Sequence, residues 1–152
     1  MRVDRAVRGA LLAGVAVSLM PVGAALASSS SQVKVVERAT TDAVLDAGAK
    51  GDSPGDVLTF ANDLYDEANA TKIGTNNGWC VRTVTGKAWE CSWTSVLEKG
   101  QIMVTGTFND GKDSTLAIIG GTGKFKKARG EMLLHPRDAQ GSAYDFTFKL
   151  GR

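Results

Sequence analysis

Apolar and polar residues alternate with a period of two along most of this chain. Near its C-terminal end Tyr144, Phe146, Phe148 and Leu150 alternate with Ala143, Asp145, Thr147 and Lys149. That pattern turns one face of a strand to a core and the other to water. The same alternation runs through Leu58, Phe60, Asn62 and Leu64, through Trp89, Cys91, Trp93 and Leu97, and through Ile102, Val104, Gly106 and Phe108. Turn-forming clusters separate these runs: Asp52-Ser53-Pro54-Gly55, Asn76-Asn77-Gly78, Thr85-Gly86-Lys87, Glu98-Lys99-Gly100 and Asn109-Asp110-Gly111-Lys112. Their spacing suits antiparallel hairpins. About eight strands are predicted, with one or two between Val33 and Ala47 and the rest near 57–65, 79–84, 88–97, 101–108, 114–119, 125–134 and 143–150. No stretch is left for long helices. An even antiparallel series of this kind is best closed into a barrel, because closure abolishes exposed sheet edges, and about eight strands leave an interior that side chains fill or that holds one small ligand. A β-sandwich would show the same periodicity.

The first part of the chain departs from that pattern. Arg2, Arg5 and Arg8 precede a run from Gly9 to Val33 without a charged residue, broken by Pro21 and Gly23 and containing Ala25-Leu26-Ala27. This is the profile of a signal peptide, with cleavage after Ala27, so residues 1–27 are expected to be a targeting segment and residues 28–152 a single secreted domain in the extracellular space or cell envelope. A retained membrane anchor is the competing reading of the same run. No later segment approaches transmembrane length, so no membrane association is expected once the signal is removed.

Removing the segment changes the charge balance. Without its three arginines and one aspartate, the 18 basic and 16 acidic residues of the chain become 15 and 15. The mature domain is formally neutral, with none of the concentrated positive charge that nucleic acid binding requires. Its size suits one core. Two cysteines, Cys80 and Cys91, and one histidine, His135 in the turn-like His135-Pro136-Arg137-Asp138, give a Cys/His metal site almost no material. Gly120-Gly121-Thr122-Gly123-Lys124 resembles a phosphate loop only superficially, since Ile118 stands where that loop needs its first glycine and Phe125 follows the lysine. These glycines are expected to serve a tight bend, and Lys124, Lys126, Lys127 and Arg129 a solvated strand face.

Several separate strings, in order, resemble the superfamily of allene oxide cyclases and dirigent proteins. They are Phe60-Ala61-Asn62-Asp63-Leu64-Tyr65-Asp66, Ile73-Gly74 through Gly78-Trp79-Cys80-Val81, Gly100-Gln101-Ile102 with Gly106, and Leu116 through Phe125 with Ala128-Arg129-Gly130. The resemblance covers nearly the whole mature chain. It implies an eight-stranded antiparallel closed barrel with a mainly apolar central cavity, assembly into a dimer or trimer, and no metal or other cofactor. It also implies a hydrophobic small molecule as ligand: cyclases of the group close a ring in a fatty-acid-derived epoxide, dirigent proteins orient phenoxy radicals or quinone methides, and bacterial barrels of this kind accompany cyclisation steps. All use a dry cavity to hold a reactive molecule in one orientation.

Residue by residue, Glu37 resembles the first-strand glutamate of the cyclases, and Asn62 and Cys80 fall on cavity positions. The asparagine expected two residues after the glutamate is Ala39, and a phenol position is Phe108. Val33, Val35 and Glu37 share one strand face, so burying the valines turns Glu37 inward, where desolvation disfavours its charge unless a cation such as Arg82 reaches it. Trp79, Trp89, Trp93 and Phe108 are assigned to the cavity walls as shape and π-faces. The expected function is therefore that of an isomerase or cyclase working through Glu37 on a fatty-acid- or polyketide-like intermediate. The alternatives are a non-catalytic dirigent-like guide or carrier, or a structural module with a filled barrel. For the cysteines, a two-residue turn at Thr85-Gly86 pairs Val84 with Lys87 and brings Cys80 opposite Cys91, which predicts a disulfide, whereas the cyclase resemblance leaves Cys80 a free thiol in the cavity.

Overall fold

The computed structural model describes residues 31–151, and the targeting segment expected at 1–27 lies outside the described residues. Nine strands follow one another: β1 (Ser31–Arg38), β2 (Ala43–Leu45), β3 (Val57–Tyr65), β4 (Lys72–Val84), β5 (Ala88–Leu97), β6 (Gly100–Asn109), β7 (Ser114–Gly121), β8 (Gly130–Pro136) and β9 (Ala143–Leu150). The only helix among the described residues is one 3-10 turn at Gly123–Phe125, so none is long and apolar enough to cross a membrane. Strands β3 to β9 form an antiparallel meander, β1 pairs with β9 along its whole length, and β1 also pairs with β3. The sheet thereby closes on itself. Eight strands make the barrel, and β2 is a short extension on the edge of β3. The closed antiparallel barrel expected from the alternation is the observed fold.

Closure between β1 and β3 is brief. It spans Val36 to Arg38 against Tyr65 to Asp63, after which β2 takes over the same edge of β3 from Leu58 and its neighbours. Beyond the seam, Arg38 lies over the Tyr65 ring at 3.6 Å and donates from Nε to Asn69 Oδ1 at 2.9 Å, which fastens the β3–β4 turn to β1.

Inside the barrel, Val35, Leu64, Ile102, Val104, Leu116, Met132, Phe146 and Phe148 are buried in one continuous core. Trp93 stacks on Phe146 with centroids 5.7 Å apart and meets Phe60 edge-on at 6.0 Å. All of these but Leu116 and Met132 are inward residues that the period-two pattern picked out, and their burial supplies the main driving force for the fold.

Three expectations about local structure are corrected. Asn76-Asn77-Gly78 is not a turn but lies mid-strand in β4, which begins at Lys72 and not near residue 79. Asn76 points into the barrel, and Gly78 is required because a Cβ there would lie 2.7 Å from the Ser92 carbonyl and 2.9 Å from the tip of Phe60. The segment Lys124–Arg129 is not a strand face: the 3-10 turn and its continuation bury Phe125 and Ala128, and Gly123 takes a φ of 57° to enter it. His135, expected in a turn, lies on β8, where it is exposed and has Nδ1 2.6 Å from Asp113 Oδ1.

Cys80 and Cys91 are directly opposite on β4 and β5, with Cα atoms 4.0 Å apart, and form a disulfide. The free-thiol alternative for Cys80 is thereby excluded. The register at the cysteines is the predicted one, although a bulge near the hairpin end pairs Val84 with Ala88 in place of Lys87. Reducing the bridge, or replacing both cysteines with Ala, is expected to lower stability by about 2 to 3 kcal/mol on the chain-entropy account of a short loop. Urea unfolding with and without reductant measures this; coincident curves would show that the hairpin needs no staple.

Candidate active site at the mouth of the barrel

One end of the barrel is formed by the loops that join β1 to β3, β4 to β5, β6 to β7 and β8 to β9. At this end the interior opens between Leu58, Phe60, Phe108 and Tyr144, all partly exposed, with Phe108 and Tyr144 meeting edge to face at 5.7 Å. Below them lies a space of about 40 Å³ whose walls include Trp93, Phe146, Leu134 and Cys80. The expected cavity is thus smaller and less apolar than the resemblance implied. It has room for a few waters and not for a ring system, because the large inward side chains of β5 and β9 fill the barrel.

The floor of this space is polar. Glu37, 5% exposed, faces inward from β1. Asn76 donates from Nδ2 to Glu37 Oε1 at 2.8 Å, and Asn62 donates to the same oxygen at 3.3 Å. Asn76 in turn accepts from Ser95 Oγ at 2.9 Å; Asn76 and Ser95 are both fully buried. Both amides converge on Oε1, and no hydrogen bond to Oε2 is formed among the described residues. Burial is the largest influence on this carboxyl and raises its pKa to about 7, against the opposing pull of the Asn76 and Asn62 amides and with a smaller push from Asp42.

Asn62 does a second job. Its Oδ1 accepts from the backbone N–H groups of Thr40 and Thr41, each at 3.0 Å, and from Thr41 Oγ1 at 2.9 Å, while its Nδ2 also donates to Asp42 Oδ1 at 2.8 Å. A side chain here replaces the ladder where the edge of β3 passes from β1 to β2, and it holds Asp42 at the mouth. Tyr144 stands opposite Glu37 in the β1–β9 register. Burial, with Asp42 and Glu37 nearby, raises its pKa to about 12, so it is a hydroxyl donor at any physiological pH.

The eight residues singled out from sequence separate into three groups. Glu37, Asn62, Cys80, Trp93 and Phe108 are brought together around the cavity. Trp79 is corrected: it stands on the outer wall of β4, 50% exposed, because its neighbour Cys80 faces in and successive residues of a strand alternate. Arg82 and Trp89 are also corrected. Both are buried, but they lie outside the cavity, where the guanidinium covers the Trp89 ring at 3.9 Å and meets Asp52 and Asp110 at 2.6 Å each. Arg82 therefore ties two rim loops together and does not neutralise Glu37. Asn76, Ser95, Asp42 and Tyr144 were missed as site members. Parity in β9 marked Tyr144 as inward, but Asn76 was hidden by its turn-like neighbours.

No group of three or more potential ligand side chains that could hold a metal occurs among the described residues. The arrangement offers a carboxyl that exchanges its proton near neutrality, a phenol that donates, and aromatic walls.

A family model described as "Dirigent-like protein" matches residues 24–150. Among solved structures, the chain is similar to a pyocyanin demethylase, with 24% identity over 80% of this chain and 100% of that one and a TM-score of 0.70. It is also similar to a pterocarpan synthase dirigent protein, at 15% identity over 80% and 96% of the two chains with a TM-score of 0.63. A third likeness is to an exo-specific intermolecular Diels-Alderase, at 13% identity over 79% and 98% with a TM-score of 0.63. At these identities the structural likenesses establish the fold alone.

Proposed function

The chain belongs to the dirigent-like family, and from that premise we propose that it promotes ring closure or isomerisation of a hydrophobic small molecule seated at the barrel mouth, with Glu37 moving the proton. The observation that carries this reading is the Glu37 carboxyl itself. It is buried without a cation, both amides hold one of its oxygens, and its pKa is near 7. A fold gains nothing in stability from such a group, and a pKa near the working pH suits both halves of an acid–base cycle.

The small cavity sets the pose. A substrate rests its body on Leu58, Phe60, Phe108 and Tyr144 and passes one substituent down toward Glu37. Glu37 takes a proton from the atom that forms the new bond and returns it to the atom that receives the displaced electron pair. The sum is an isomerisation that balances without a second reagent. The phenol of Tyr144 donates to oxygen on which charge gathers, and the aromatic walls restrict the substrate to one face.

The filled interior favours a second reading, in which the mouth only orients a molecule that reacts on its own, as a dirigent-like guide does. A chalcone carrying a hydroxyl ortho to its carbonyl, which closes spontaneously to a racemic flavanone, separates the two. Catalysis predicts faster closure with one enantiomer in excess, and a rate about a hundredfold lower in Glu37→Gln. A guide predicts enantiomeric excess at the background rate. Equal turnover by the folded variant and the parent would remove the acid–base role.

A further inference from the structure

The mouth has a charge inventory of one sign. Glu37 and Asp42 both line it, joined through Asn62, and no Lys, Arg or His is among the lining residues. Among the described residues the two arginines that are not exposed are committed elsewhere: Arg82 to Asp52 and Asp110, and Arg38 to Asn69 and the Tyr65 ring. Several carboxylates elsewhere pair with a cation, as Asp63 does with Lys72, Glu67 with Lys34 and Asp145 with Arg137. At the mouth the counter-charge is missing.

The walls above the carboxylates are π-faces. Phe60 and Phe108 flank the opening and Trp93 and Phe146 line the space beneath it, and ring faces attract a cation as ring edges do not. A carboxylate at the base of an aromatic funnel favours positive charge twice over, by Coulomb attraction in a site of low dielectric and by the ring quadrupoles. It also penalises an anion twice, since a carboxylate ligand would be desolvated against two like charges.

Resting on the reading of the mouth as a ligand site, we propose that its natural ligand is a planar aromatic cation, whose positive charge supplies the counter-ion that Glu37 and Asp42 lack. Molecules ending in a carboxylate, including the fatty-acid-like intermediates that the sequence resemblance suggested, are selected against.

The test compares three probes of one ring size: N-methylquinolinium, methylnaphthalene and naphthoate. Binding to the full mature chain is followed by NMR through the Tyr144, Phe108 and Trp93 resonances. The quinolinium is expected to bind about tenfold more tightly than its uncharged isostere, and naphthoate more weakly than either. In Glu37→Gln and in Asp42→Asn the gap between quinolinium and methylnaphthalene narrows, chiefly through weaker quinolinium binding. If methylnaphthalene binds as tightly as the quinolinium, or naphthoate more tightly, the charge assignment fails and the ligand site survives. If no probe perturbs the mouth resonances, both fail.

Discussion

Replacing Asn76 with Ala is expected to lower stability by about 4 kcal/mol. Asn76 is completely buried, and both ends of its amide are in use: Nδ2 donates to Glu37 Oε1 at 2.8 Å, and Oδ1 accepts from Ser95 Oγ at 2.9 Å. Alanine removes a hydrogen bond to an ionisable group, leaves a fully buried hydroxyl without its acceptor, and opens a void beside Asn62 and Ser95. The same substitution should move the titration of Glu37. The Asn76 amide is the strongest influence holding that pKa down, so its loss lets burial push the carboxyl above its present value of about 7. Urea unfolding gives the first quantity and the carbon shift of the Glu37 carboxyl against pH gives the second. A loss below about 1 kcal/mol with an unmoved titration would mean that water replaces the amide.

Glu37 also makes stability depend on pH in a window of its own. Its pKa is raised from 4.5 in the unfolded chain to about 7 in the fold. Below 4.5 the carboxyl is protonated in both states, and its contribution to stability is fully present. As pH rises from there the unfolded chain ionises first, so stability falls until the folded group ionises as well near 7. The loss amounts to about 3 kcal/mol. Asp56, which is buried, and the half-buried Asp66 and Asp138 act oppositely, since hydrogen bonds lower their pKa values, and what they contribute is lost only at pH below the ordinary aspartate range. Subtraction isolates the effect. Glu37→Gln should match the parent at about pH 4 and exceed it by up to about 3 kcal/mol at about pH 8. Parallel pH profiles for the two proteins would show that Glu37 is hydrated in the fold.

The distinction between what the sequence revealed and what it hid follows from how each feature is encoded. Alternation in β5, β6 and β9 reports burial directly, because each strand residue faces either core or water. Glu37 was legible for the same reason, through Val33 and Val35. Parity also contained the answer for Trp79, which cannot face in beside Cys80; its size suggested a wall of the cavity, but position overrides size. Asn76-Asn77-Gly78 misled because residue types that favour turns also serve as a buried amide and as a close approach. What decided between them was the identity of residues distant in sequence: Ser95 and Trp93 across the strand pair, and Glu37 across the barrel interior. The volume of the cavity was likewise hidden, since it depends on how Trp93 and Phe146 stack and not on their presence.

The topology also fixes an order of assembly. Strands β3 to β9 each find a partner in the next segment of chain, so the meander grows by local pairing as hairpins do. β1 has no such neighbour: its long ladder is with β9, nearly the whole domain away, and its contact with β3 covers only Val36 to Arg38. The first strand made is therefore among the last to pair, and the slow step of folding is the one that carries Glu37 into place. Until β1 docks, the edges of β3 and β9 that it will cover are open to strands of other molecules. A substitution that slows docking of β1 would betray itself as aggregation during refolding, well before any loss of equilibrium stability is measurable.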